Sequence, residues 1–136
     1  MQKLKIVVLE KNDDNQNGVS NYLKNCEEIN LIGVYNNDVS LYNTLKVTQL
    51  DVLIVDMFLE GVDGINVIEN IRRGSEYYHV PKHIIVMTQF MSNFINNKLN
   101  QLNVDYVTMK PVNNKQLIQL ILGVASENQT DQITQF

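Results

Sequence analysis

Three residues of different chemistry close three apolar runs of the chain. Asp56 ends DVLIVD, Thr88 ends HIIVMT, and Lys110 follows DYVTM and precedes Pro111. A carboxylate can attack phosphorus, a hydroxyl can donate a hydrogen bond to a phosphoryl oxygen, and an ammonium can pair with its charge. Together they suit the making and holding of an acyl phosphate. That chemistry also wants a hard divalent cation. A fourth run, LKIVVLE, ends in Glu10. The carboxylates of Glu10 and Asp56, with the backbone carbonyl of Phe58 just beyond Asp56, are oxygens of the kind that Mg2+ takes while keeping waters in the rest of its shell. One neighbour complicates the set: Lys11 directly follows Glu10 and is itself followed by Asn12, Asp13 and Asp14. The stretch LEKNDD is therefore a metal site, a spoiled metal site or a helix cap.

These residues meet only if their runs are strands of one sheet. Five runs rich in β-branched residues recur at residues 4–10, 29–35, 51–56, 83–88 and 105–109. Their near-continuous apolarity suits parallel strands covered on both faces. Helical spacing fills the intervals. Val19, Tyr22, Leu23 and Cys26 share one side of a first helix, with Asp13 or Asp14 as its N-cap. Asp38 caps a second that turns Tyr42 and Leu45 inward. A third, entered through Asp63 and Gly64, carries Ile65, Ile68 and Ile71 or Arg72. Ile95, Leu99 and Leu102 mark a fourth. Leu117, Leu120, Ile121 and Val124 mark a fifth after Pro111. Strict alternation of strand and helix predicts an α/β fold whose parallel sheet is joined by crossovers. Ligands bind such sheets at the carboxyl ends of the strands, where the order reverses. Glu10, Asp56, Thr88 and Lys110 all fall on that edge.

With 136 residues, 44% of them hydrophobic, the chain can bury one core without covalent staples. A net charge of −4 and the absence of clustered Lys and Arg argue against direct nucleic-acid binding. Cys26 stands alone, so it forms no internal disulfide. The apolar run near the N-terminus is too short for a signal peptide or a membrane span, and the expected location is the cytoplasm. Residues 1–124 read as one domain. Residues 125–136 turn polar and read as a tail or the start of a linker.

With its acid-bearing first strand, DVLIVDMFLEGVDG around Asp56, IIVMT with its terminal Thr and MKP in that order, the chain resembles a response-regulator receiver domain over residues 3–124. DVLIVD and IGVYN are most similar to the receivers of sporulation phosphorelay regulators. The resemblance implies a flavodoxin-like (βα)5 fold with strand order 2-1-3-4-5. It implies that Asp56 accepts a phosphoryl group from a histidine kinase or phosphotransferase, with Mg2+ as cofactor. Thr88 and Lys110 become the switch hydroxyl and lysine, and Lys110–Pro111 a cis peptide. Receivers dock partners and dimerise through their fourth helix, fifth strand and fifth helix. Here Met91, Phe94, Ile118 and Leu122 add apolar surface outside the main stripes, so a homodimer through that face is expected.

Three positions depart from the family pattern. Receivers carry two adjacent acids at the end of strand one, and here the second, a metal ligand, is Lys11. The family often has Pro four residues after the acceptor, where this chain has Glu60. Its aromatic switch residue, three before the lysine, is Val107, while Tyr106 should face the other side of the strand. An inward Lys11 would abolish Mg2+ binding and pair with Asp56, giving a receiver that works by protein contact without phosphate. A Lys11 turned to water leaves Glu10 to support a weak site. Rival classes fit less well. Haloacid-dehalogenase-like phosphohydrolases need an acid two residues after the nucleophile, where Phe58 cannot transfer a proton. A flavin carrier needs a phosphate loop rich in Ser, Thr and Gly after strand one, which LEKNDDNQNG is not, and no GKS or GKT occurs. His79 and His83 flank Pro81 on the opposite edge and read as structural.

Overall fold

The computed structural model describes residues 2–10, 18–59 and 61–126. Lys11, the candidate caps Asp13 and Asp14, Glu60 and most of the expected tail lie outside the described residues. The elements run β1 (Leu4–Leu9), α1 (Val19–Lys24), β2 (Ile29–Tyr35), α2 (Asp38–Leu45), β3 (Val52–Asp56), β4 (Phe58–Leu59), β5 (Val62–Asp63), α3 (Gly64–Arg73), β6 (His83–Thr88), α4 (Asn93–Gln101), β7 (Tyr106–Met109) and α5 (Asn114–Ser126). The main sheet has the order β2-β1-β3-β6-β7, all pairs parallel. This is the expected doubly wound order, with β6 and β7 as fourth and fifth strands. Among the described residues no helix is long and apolar enough to cross a membrane.

Every residue of β3 is buried, because the strand lies between β1 and β6 and is covered on both faces. Strand alternation sorts the core into two clusters. Val7, Leu9, Leu53, Val55, Ile84, Val86 and Val107 pack with α2, α3 and α4 through residues such as Leu45, Ile68 and Leu99. Ile6, Val8, Val52, Ile54, Ile85 and Met87 pack on the other face with α1 and α5 through Leu23, Leu117 and Ile121. Tyr106 joins the second cluster and Val107 the first, so they do face opposite sides.

Several local expectations shift. The described α1 starts after Gly18, and it turns Val19, Ser20 and Leu23 inward while Tyr22 is 43% exposed. Cys26 lies beyond the helix and packs at the edge of the second cluster. The cap of α2 is Asn37, whose side chain accepts from the Ser40 amide at 2.8 Å, rather than Asp38. Helix α3 is entered through Asp63 and Gly64 as expected, and Asp63 is its cap, accepting from Ile65 N–H at 2.9 Å. Arg72 leaves the core stripe to donate to the carbonyls of Leu102 and Asn103, tying α3 to the end of α4. Helix α5 continues through Ala125 and Ser126, and Ala125 packs on the core, so the helix crosses the expected domain boundary at 124. Met91 and Ile118, read as outward, pack against the two cores, while Phe94 is 77% exposed.

Candidate functional site

Alternation decides more than the core. On β3, Asp56 follows Ile54 toward the α1/α5 face. Glu10 follows Val8 toward the same face, and its amide still donates to the Tyr35 carbonyl at 2.9 Å, as the ladder would continue. Leu9 pairs with Val55, so Glu10 comes beside Asp56 on the neighbouring strand. Lys110 keeps step with Tyr106 and takes that face too. Thr88 keeps step with Val86, which puts it on the opposite face.

The side chains obey this sorting. Asp56, 2% exposed, receives the Lys110 ammonium on Oδ2 at 2.5 Å and the Phe58 amide on Oδ1 at 3.2 Å. Both carboxylate oxygens are thus satisfied, one by a charge-assisted bond. Thr88 is fully buried at the same edge, yet its hydroxyl donates to the Phe90 carbonyl at 2.8 Å and lies 3.7 Å from the Met57 sulfur. The structure therefore brings Asp56 and Lys110 together and leaves Thr88 beside them, turned to its own loop. The Lys110–Pro111 peptide is cis, as the resemblance implies.

A short ribbon absent from the sequence reading shapes the rest of the pocket. Strands β4 and β5 pair Phe58 with Asp63 and Leu59 with Val62 around the turn at Gly61, whose φ of 74° suits glycine. Gly64 N–H donates to the Met57 carbonyl at 2.8 Å. Phe58–Asp63 is consequently the non-hydrogen-bonded pair, and the Phe58 amide and carbonyl both point away from Asp63. The amide reaches Asp56, so the carbonyl is turned to the Asp56 side. Glu10, Asp56 and the Phe58 carbonyl make an all-oxygen donor set with two negative charges, which fits Mg2+. Among the described residues no three of His, Cys, Asp and Glu gather as metal ligands. Among the described residues, the donors for a cation here are two carboxylates and the carbonyl, with water for the rest of its shell.

Two further contacts frame the site. The rings of Phe58 and Phe90 stack with centroids 5.2 Å apart, joining the residues that lie two positions beyond Asp56 and Thr88. Gly64 packs so closely that a Cβ would lie 2.6 Å from the Asp56 carbonyl oxygen and 2.9 Å from the Met57 Cα. Backbone cannot yield as a flexible side chain would. Gly64→Ala is expected to cost about 2 kcal/mol in urea unfolding, in the range of an overpacked core, and an unchanged midpoint would show that the loop after Asp56 is free to shift.

Other candidates stay outside the pocket. His83 Nδ1 sits 3.4 Å from Asp105 Oδ1 at the amino edge, and the His79 amide donates to the Leu45 carbonyl. Burial first, and then the bond to Glu28, push the Cys26 thiol up, the opposite of what a reactive thiolate requires. Ser20 stands outside the apolar stripe expected of α1, yet it is buried and donates to Glu10 Oε2 at 3.1 Å.

A family model described as response regulator receiver domain matches residues 6–122. The isolated REC domain of RcsB from Salmonella enterica serovar Typhimurium superposes with a TM-score of 0.73 at 21% identity, covering 90% of this chain and 88% of that one. The signal receiver domain of the response regulator NarL from Mycobacterium tuberculosis gives 0.75 at 19% identity, covering 92% and 98%. A longer RcsB structure from Salmonella typhimurium gives 0.74 at 22% identity, covering 91% of this chain and 59% of that one. At these identities the likeness to solved structures is one of fold.

Proposed function

This chain belongs to the response regulator receiver domain family, and we propose that Asp56 is its phosphoacceptor, loaded by a histidine kinase or phosphotransferase in the cytoplasm. The observation that carries the proposal is the Lys110–Asp56 pair: a carboxylate on a side chain 3% exposed, held at a strand end by the ammonium of a lysine whose side chain is 26% exposed. In the reaction an Asp56 oxygen attacks phosphorus in line, the new O–P bond forms, and the P–N bond of the phosphohistidine donor breaks. The leaving imidazole nitrogen takes up a proton. Lys110 leaves the carboxylate for a phosphoryl oxygen and carries its charge there. Thr88 has one hydroxyl proton, so donating to the phosphoryl group requires giving up the Phe90 carbonyl. Glu10, Asp56 and the Phe58 carbonyl would hold Mg2+. When bound, the ion supplies the charge that lets an anionic phosphoryl group approach an anionic carboxylate. The chain acts as acceptor and carrier of the phosphoryl group rather than as an enzyme on other substrates. A homodimer would form through α4, β7 and α5, where Phe94 and Met109 are exposed.

A second reading is a receiver that works by protein contact alone. One observation favours it: Lys11 stands where the family pattern has the second acid, a metal ligand. Incubation with acetyl phosphate, with and without Mg2+, separates the two readings by intact mass and peptide mapping. The expected result is one phosphoryl group per chain, dependent on Mg2+ and confined to the peptide holding Asp56. A folded chain that stays unlabelled would establish the phosphate-independent reading instead.

A further inference from the structure

Four polar side chains are buried among the described residues: Glu10, Ser20, Asp56 and Thr88. Three lie at strand ends and belong to the chemistry above. The fourth lies on a helix. A serine within a helix ordinarily turns its hydroxyl to water or back to the carbonyl of the preceding turn. Ser20 does neither. It is 6% exposed, between Val19 and Leu23 on the inner side of α1, and its Oγ donates to Glu10 Oε2 across ten residues of sequence.

We propose that Ser20 is a positioning residue for cation binding: through this bond it fixes the plane of the Glu10 carboxylate, so that Glu10 meets Mg2+ in a ligating orientation. The inference rests on the metal reading above. Mg2+ demands near-octahedral geometry and dehydrates reluctantly, so a carboxylate free to swing about its χ angles is a poor ligand. Partners that orient a ligating carboxylate from behind typically carry a large share of metal affinity. The share is larger here, because the described residues offer two carboxylates where the family pattern has a further acid at the position of Lys11. Ser20 also joins α1 to the strand end, so the orientation of Glu10 depends on how α1 packs against β2 and α5.

Calorimetric titration of the purified full chain with MgCl2 tests the proposal. Ser20→Ala is expected to raise the Mg2+ dissociation constant about tenfold, and to raise by the same factor the Mg2+ concentration at half-maximal labelling. Ser20→Thr, which keeps a hydroxyl, is expected to recover most of the affinity. In a Glu10→Gln background, Ser20→Ala should change nothing further. Should Ser20→Ala fail to fold, Ser20→Cys keeps the volume with a far weaker donor and carries the same expectation. A stability loss in urea with a dissociation constant within twofold of the unchanged chain overturns the role of Ser20 and leaves the metal site standing. No Mg2+ binding by the unchanged chain overturns the metal site itself, and the inference with it.

Discussion

Asp56→Asn is expected to end labelling altogether and to leave the chain at least as stable in urea, while Lys110→Met lowers its stability by about 3 kcal/mol. The two variants break the same 2.5 Å contact, and the difference lies in what each leaves behind. The amide of Asn carries no charge to desolvate, and Lys110, with a quarter of its side chain already exposed, reaches water along its flexible stem. Removing the lysine instead strands a carboxylate that is 3% exposed, with one amide hydrogen bond of 3.2 Å to hold its charge. An unpaired buried charge costs several kcal/mol, whereas deleting both charges can be neutral or favourable. Added Mg2+ should return part of the lost stability to Lys110→Met, since a ligand that binds only the folded chain stabilises it. Equal unfolding midpoints for the two variants would show that leaving the Asp56 carboxylate without Lys110 costs nothing.

How far the site was legible follows from two periodicities. Five runs of apolar residues announced the sheet, and the ends of those runs announced its carboxyl edge, because a parallel strand buried on both faces tolerates polar groups only where it stops. What the runs do not display at a glance is the face on which each end residue projects. Alternation puts Glu10 and Asp56 on one face and Thr88 on the other only once the sheet shows that Val86 packs opposite Val8 and Ile54; runs that are apolar throughout do not mark their faces, so the separation of Thr88 from Asp56 was not legible. The β4–β5 ribbon was not legible, since two-residue strands are too short to show any period. Neither was the choice of Asn37 over Asp38 as the cap of α2, because both side chains accept a hydrogen bond from an amide equally well. Ser20 was hidden by a helical stripe that placed Tyr22 inside. The observed helix turns Ser20 inward instead, where the Glu10 carboxylate accepts its hydrogen bond and offsets the cost of burying the hydroxyl. That is a tertiary demand which no local pattern records.

Lys11→Asp is the substitution expected to change metal affinity most, tightening Mg2+ binding by tenfold or more and letting labelling run at correspondingly lower Mg2+. An ammonium about 4 Å from a divalent ion, at an effective dielectric near 20, is repelled by about 8 kcal/mol. A site of millimolar affinity is worth only about 4 kcal/mol. Lys11 and Mg2+ therefore cannot share the pocket, and binding to the unchanged chain requires the lysine stem to carry its charge into water. Asp at position 11 ends that competition and adds a third carboxylate to Glu10 and Asp56. Lys11→Ala separates the two contributions: relief of repulsion without a new oxygen should give an affinity between those of the unchanged chain and Lys11→Asp. This series also settles what LEKNDD is. A graded gain from Lys to Ala to Asp identifies it as a metal site spoiled by one residue. If all three chains bind Mg2+ alike, the lysine lies outside the pocket and LEKNDD is no metal site; helix capping is not left to it either, because the N-cap of α1 is Gly18.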